Sequence, residues 1–65
     1  EPVVGDHVEN VNPGCKHFGS EGVVIDVKQL PRDMGTVACY QCTNSGDNWS
    51  SGDVLEKSLD QLAIQ

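Results

Sequence analysis

Apolar residues in this chain come in short runs divided by clusters of Gly, Pro, Asn, Asp and Ser: "NPG" at Asn12–Gly14, "LPRDMG" at Leu30–Gly35 and "TNSGDNWSSGD" at Thr43–Asp53. Such clusters make turns through positive φ (Gly, Asn), a fixed φ (Pro) and side-chain bonds to the backbone (Asp, Asn, Ser). Between them the pattern predicts strands. The first runs over roughly Gly5–Val11, where Val8 and Val11 are out of step for one face, so either the strand is bulged near Glu9 and Asn10 or one valine faces solvent. The second, Gly22–Lys28, is the most apolar and is expected at the centre, with Val23, Ile25 and Val27 on one face and Val24, Asp26 and Lys28 on the other. A third, Thr36–Thr43, splits into Val37, Cys39, Gln41 and Ala38, Tyr40, Cys42, and should pair with the second through the loop Gln29–Gly35.

The last thirteen residues allow two readings. Val54 and Leu55 suit a short strand, Ser58–Gln61 a single helical turn capped by the Ser58 hydroxyl, and Leu62 and Ile64 a final strand. A helix over Asp53–Ile64 is the competing reading, because Leu55, Leu59 and Leu62 fall at helical spacing. Twelve residues are marginal for a helix in a chain of short strands, which favours the first reading. Five short strands in 65 residues then imply one domain, residues 1–65, all-β. The expected architecture is a small antiparallel barrel that is closed or nearly closed and so hides its edges.

The opening of the chain resembles the KOW-type variant of SH3-like barrels: Gly5, Asp6 and Val8, then Gly14, Gly19 and Gly22, then the apolar run Val24–Val27. Strand order and the "DQL" turn at Asp60–Leu62 extend the resemblance to the whole chain. It is also similar to small SH3-like proteins of bacteriophage and marine metagenomic origin, and more distantly to the PsaE subunits of photosystem I. KOW domains contact RNA or protein, and the resemblance implies a binding role. The plasmid-type dihydrofolate reductases share the barrel, but their "VQIY" motif is absent.

Charge narrows that role. Ten Asp and Glu face four Lys and Arg, a formal charge of -6, whereas nucleic acids are held mainly by basic groups. Nucleic acid is therefore not expected as the main ligand, and anionic membrane surfaces are disfavoured for the same reason. No apolar run reaches the ~20 residues of a membrane helix. An odd count of three cysteines and no recognisable signal peptide point to a reducing, cytoplasmic setting, the host cytoplasm if the protein is phage-encoded.

Cys39 and Cys42 match C-x-x-C, but residues three apart on a strand point to opposite faces. A zinc site of Cys15, His17, Cys39 and Cys42 would require the first turn to fold over the third strand. No cofactor is expected, and no residue is assigned to catalysis; an enzyme is not expected, since a domain this small seldom encloses a pocket of ~300 Å³. The aromatics carry the functional expectation. Phe18, Tyr40 and Trp49, with Glu21, Asp47 and Asp53 around them, form the expected binding surface for a basic protein or peptide. The alternative fate of Trp49 is to fold back and cap the barrel. A self-associating accessory protein and a zinc-binding domain are the competing functions.

Overall fold

The computed structural model describes residues 1–65 and contains five strands in one antiparallel sheet: β1 (His7–Asn10), β2 (Glu21–Gln29), β3 (Thr36–Cys42), β4 (Val54–Ser58) and β5 (Leu62–Ile64). The one helical element is a 3-10 turn, Leu59–Gln61, immediately before β5. Strand order is β4-β3-β2-β1-β5, the SH3-like layout expected from the chain. The helix over Asp53–Ile64 does not form: β4 pairs with β3 from Val37↔Ser58 to Gln41↔Val54. No helix is long and apolar enough to cross a membrane.

β2 is central, as its apolar run predicts, but its face assignment shifts within the strand. The register with β3 slips between Val24 and Asp26, so Ile25 is the extra residue of a β-bulge. Val24 is buried while Ile25 is 47% exposed. The bulge changes the alternation: Val24 and, beyond it, Val27 face the core. It also separates β2 into the half that pairs with β1 and the half that continues along β3 alone. Gly22 sits where β2 presses on β3; a Cβ there would collide with the Gln41 carbonyl and the Tyr40 ring.

The first strand needs no bulge. It ends at Asn10, and Val11 follows it exposed to solvent. Val8, Val24, Ala38, Tyr40 and Cys42 form the core, with Val27, Trp49, Leu55, Leu59 and Leu62 packed around them. Hydrogen bonds do not close the barrel: β4 and β5 are the outermost strands, and neither has a neighbour on its far side. Ser58 precedes the 3-10 turn but makes no side-chain cap. Its hydroxyl instead accepts from Gln61 Nε2 at 2.8 Å, a bond between two side chains that pins the turn from outside its axis.

Candidate functional site

Two loops meet at one end of the sheet: residues 11–20, between β1 and β2, and residues 43–53, between β3 and β4. Asparagines build both. Asn10, fully buried, accepts from the Asn12 backbone N–H at 2.9 Å, and Asn12 in turn accepts from Gly14 N–H at 3.0 Å. This chain of side-chain-to-backbone bonds folds the "NPG" segment. The turn then closes with Phe18 N–H on the Cys15 carbonyl and Gly19 N–H on the Asn10 carbonyl.

Asn44 joins the two loops. It accepts from Glu21 N–H at 3.0 Å and donates to the Gly19 carbonyl at 3.0 Å. Asn48 adds a second strut, its Nδ2 donating to the Lys16 carbonyl at 3.0 Å. Trp49 lies against Gly46, where a Cβ would collide with its indole. Its Nε1–H donates to Asn44 at both the backbone carbonyl (3.0 Å) and Oδ1 (3.1 Å), and its ring stands edge-on to His17 with centroids 6.3 Å apart. Trp49 is thus a half-buried brace whose only donor is engaged within the chain.

The six residues expected at a binding surface separate into four roles. Phe18 stands 52% exposed on the first loop, and Asp47 is exposed on the second. Glu21 and Trp49 are half-buried at the junction, while Asp53 is exposed but turns its carboxylate to its own loop, accepting from Ser50 N–H at 2.9 Å. Tyr40 is the correction. The inward face of β3 is Ala38, Tyr40 and Cys42, so Tyr40 is 0% exposed, and its hydroxyl shares a 2.8 Å hydrogen bond with Ser20 Oγ. A buried side chain with its polar end paired inside cannot touch a partner. Burial accordingly pushes the pKa of the Tyr40 phenol above its ordinary value.

Cys15, His17, Cys39 and Cys42 do not gather. Cys42 faces the core, Cys39 faces outward across from Glu56, and no three His, Cys, Asp or Glu side chains converge anywhere. All three cysteines are free thiols. Burial raises the pKa of Cys39 and Cys42, and Glu56 raises Cys39 further. No pocket indents the surface. Sequence reasoning missed Asn10, Asn44 and Asn48 as site builders; the asparagine density of the turn clusters was the available signal, but not which carbonyl each would reach. No family model, curated protein or solved structure matches the chain.

Proposed function

We propose that this SH3-like barrel, with its KOW-type opening, is a non-catalytic protein-interaction module that binds a basic protein or peptide on the two-loop rim around Phe18. The observation that carries this reading is an aromatic side chain half exposed on a loop whose backbone is braced by Asn44, Asn48 and Trp49. A rigid apolar anchor binds with little ordering cost. Lys16 is the single Lys or Arg in residues 11–20 and 43–53, beside Asp47, Asp53 and the adjoining Glu21. That balance steers cationic partners toward the rim and disfavours polyanions. A surface without a pocket suits a macromolecule better than an enclosed small ligand. The setting we infer is cytoplasmic, in a host cell if the protein is one of the small accessory proteins that phages encode.

Selection from a displayed random-peptide library tests the proposal. The expected result is enrichment of Lys- and Arg-containing peptides whose binding weakens with salt and drops roughly tenfold or more in Phe18→Ala, a loss of at least about 1.4 kcal/mol. Equal binding by Phe18→Ala with a native fold would sink it.

A second reading, self-association, rests on the open outer edges of β4 and β5, since unpaired strand edges are templates for pairing with another chain. Sedimentation across a concentration series separates the two: a monomer throughout excludes the second reading, and a concentration-dependent dimer supports it.

A further inference from the structure

The two edges of the sheet are not equivalent. β5 is three residues long and carries no charged side chain, whereas β4 is five residues long and carries Glu56 and Lys57. The phase of the β3–β4 ladder decides which backbone groups of β4 face away from the sheet. Cys42 N–H donates to the Asp53 carbonyl on the β4 side, while Thr43 N–H donates to the Glu21 carbonyl on the β2 side. Alternate residues of a strand send their N–H and C=O to the same side, so Cys42, Tyr40 and Ala38 bond toward β4. Leu55, opposite Tyr40, and Lys57, opposite Ala38, bond back. Val54 and Glu56 therefore turn their N–H and C=O outward, where no loop or other strand bonds to them.

Side chains alternate along the same strand. Leu55 packs against the core and Lys57 lies opposite the wholly buried Ala38, so both are on the inner face, and Asp53 begins the same row two residues before Leu55. Val54, 53% exposed, and Glu56 are on the outer face. The single ion pair of the chain is Lys28–Glu56, so Lys57 has no carboxylate partner in its own chain. When two copies of one edge pair antiparallel about a two-fold axis, the residue on the axis fixes the register. Glu56 on the axis sets Glu56 against its own copy and Leu55 against Lys57, and Lys57 on the axis again sets like charges together. Leu55 on the axis does neither: Leu55 meets Leu55, Val54 meets Glu56, and Asp53 meets Lys57. The opposite charges then fall in the closer, non-hydrogen-bonded type of pair. Val54 and Glu56, whose backbone groups point outward, are the residues that exchange hydrogen bonds.

We propose that β4 is the edge on which a second copy of this chain docks, antiparallel, with Leu55 on the two-fold axis and Asp53 of each copy paired with the partner's Lys57. This inference rests on the self-association reading and names its surface and register. One sheet then continues across both copies. The exposed Val54 is covered by the aliphatic part of the partner's Glu56, and the half-buried Leu55 gains an apolar neighbour. Assembly by this edge stops at two, because the symmetric pairing uses β4 of both copies. Five residues of edge bury less than the ~1,200 Å² of a standard interface, so the dimer is weak, with a dissociation constant of roughly 10 µM to 1 mM.

The test is sedimentation of the full chain from about 10 µM to 1 mM, with charge-reversed variants checked for folding by circular dichroism. We expect a reversible monomer–dimer equilibrium that is weakened about fivefold or more in Asp53→Lys and in Lys57→Glu, each of which sets like charges opposite one another. An equimolar mixture of these two variants should recover dimerisation, since every copy then meets the opposite charge on its partner. Glu56→Gln should change the dimer by less than about twofold, because Glu56 faces Val54 in this register. Should one reversal fail to fold, the other and Glu56→Gln decide. A monomer at every concentration overturns this inference and the self-association reading together. A dimer that is indifferent to Lys57→Glu, strengthened by Glu56→Gln or not recovered in the mixture overturns the β4 register alone and leaves self-association to another surface.

Discussion

Two neighbouring residues of β4, Glu56 and Lys57, leave the strand on opposite sides and meet different surroundings. On the outer side Glu56 lies across from Cys39, whose Sγ–H donates to Oε1 at 3.5 Å, and holds that thiol protonated. On the inner side Lys57 lies across from the wholly buried Ala38 and has no carboxylate partner. The period of a strand is two, so a single step along the chain carries a charged side chain from the outer face to the inner one. The two sides also differ in what surrounds the charges. Outside, Lys28 and Glu56 form a 3.5 Å pair with both side chains about half exposed. Inside, Asn10, Ser20 and Tyr40 are fully buried polar groups, each paired with another part of the chain. Groups of similar chemistry therefore carry different structural weight on the two sides.

The largest test of that difference is Asn10→Ala. It removes the acceptor for Asn12 N–H and the donor to Cys15 from a fully buried position. A loss of about 2–3 kcal/mol is expected in denaturant unfolding, the upper range for leaving a buried group unpaired. A loss below about 0.5 kcal/mol would mean that the inner side is wetter than its burial implies.

An intermediate test is alkaline pH. Tyr40, Cys39 and Cys42 all have raised pKa in the fold, mainly through desolvation. Above their unfolded values of 9.0 for the cysteines and 10.0 for the tyrosine, the unfolded chain loses protons that the fold retains. It then binds fewer protons than the native state, and stability falls as pH rises. Cys15 acts oppositely, adding stability as pH climbs from its lowered folded pKa toward 9.0. Melting temperature should thus decline from about pH 9 upward. Cys15→Ser should leave that decline in place, while Cys42→Ala should reduce it. A flat profile would contradict the buried assignment of all three groups.

The smallest effect is expected on the outer side. Glu56→Gln should change stability by no more than about 0.5 kcal/mol, because exposed ion pairs contribute little. It should nonetheless lower the Cys39 pKa by removing an acceptor and a charge, which the pH dependence of thiol labelling in mild denaturant would report. A large stability loss would place Glu56 in a structural role that its exposure does not suggest.

Much of the fold is legible in the residues because its determinants are local. Gly, Pro, Asn and Asp mark where the chain turns, and the alternation in "TVACYQCT" marks β3. What is not legible is decided by partners. The two faces of β3 are of similar apolarity, Val37–Cys39–Gln41 against Ala38–Tyr40–Cys42, so only the packing of Val8 and Val24 selects the second. The Ile25 bulge leaves no mark in "GVVIDV", which reads as a regular strand in either register. In the candidate site, Phe18 and Asp47 were accessible to reasoning because exposure on a turn is local. Tyr40 was misplaced for the reason just given. Asn44 was invisible as a site residue because Gly19 and Glu21 lie far from it along the chain.

The pairing of β1 with β5 has a consequence for how this domain can be rewired. Val8 lies beside Ile64, and Gln65 N–H bonds the His7 carbonyl, so the first and last strands are spatial neighbours and the order of strands is nearly a ring. A short linker joining residue 65 to residue 1, with new ends opened between Arg32 and Asp33, would preserve every strand pair while reversing which loop closes last. Those two residues hold positive φ in the β2–β3 turn, an uncommon conformation outside glycine. Cutting there releases local strain, and the two loops of the rim would exchange order along the permuted chain, residues 43–53 now preceding residues 11–20.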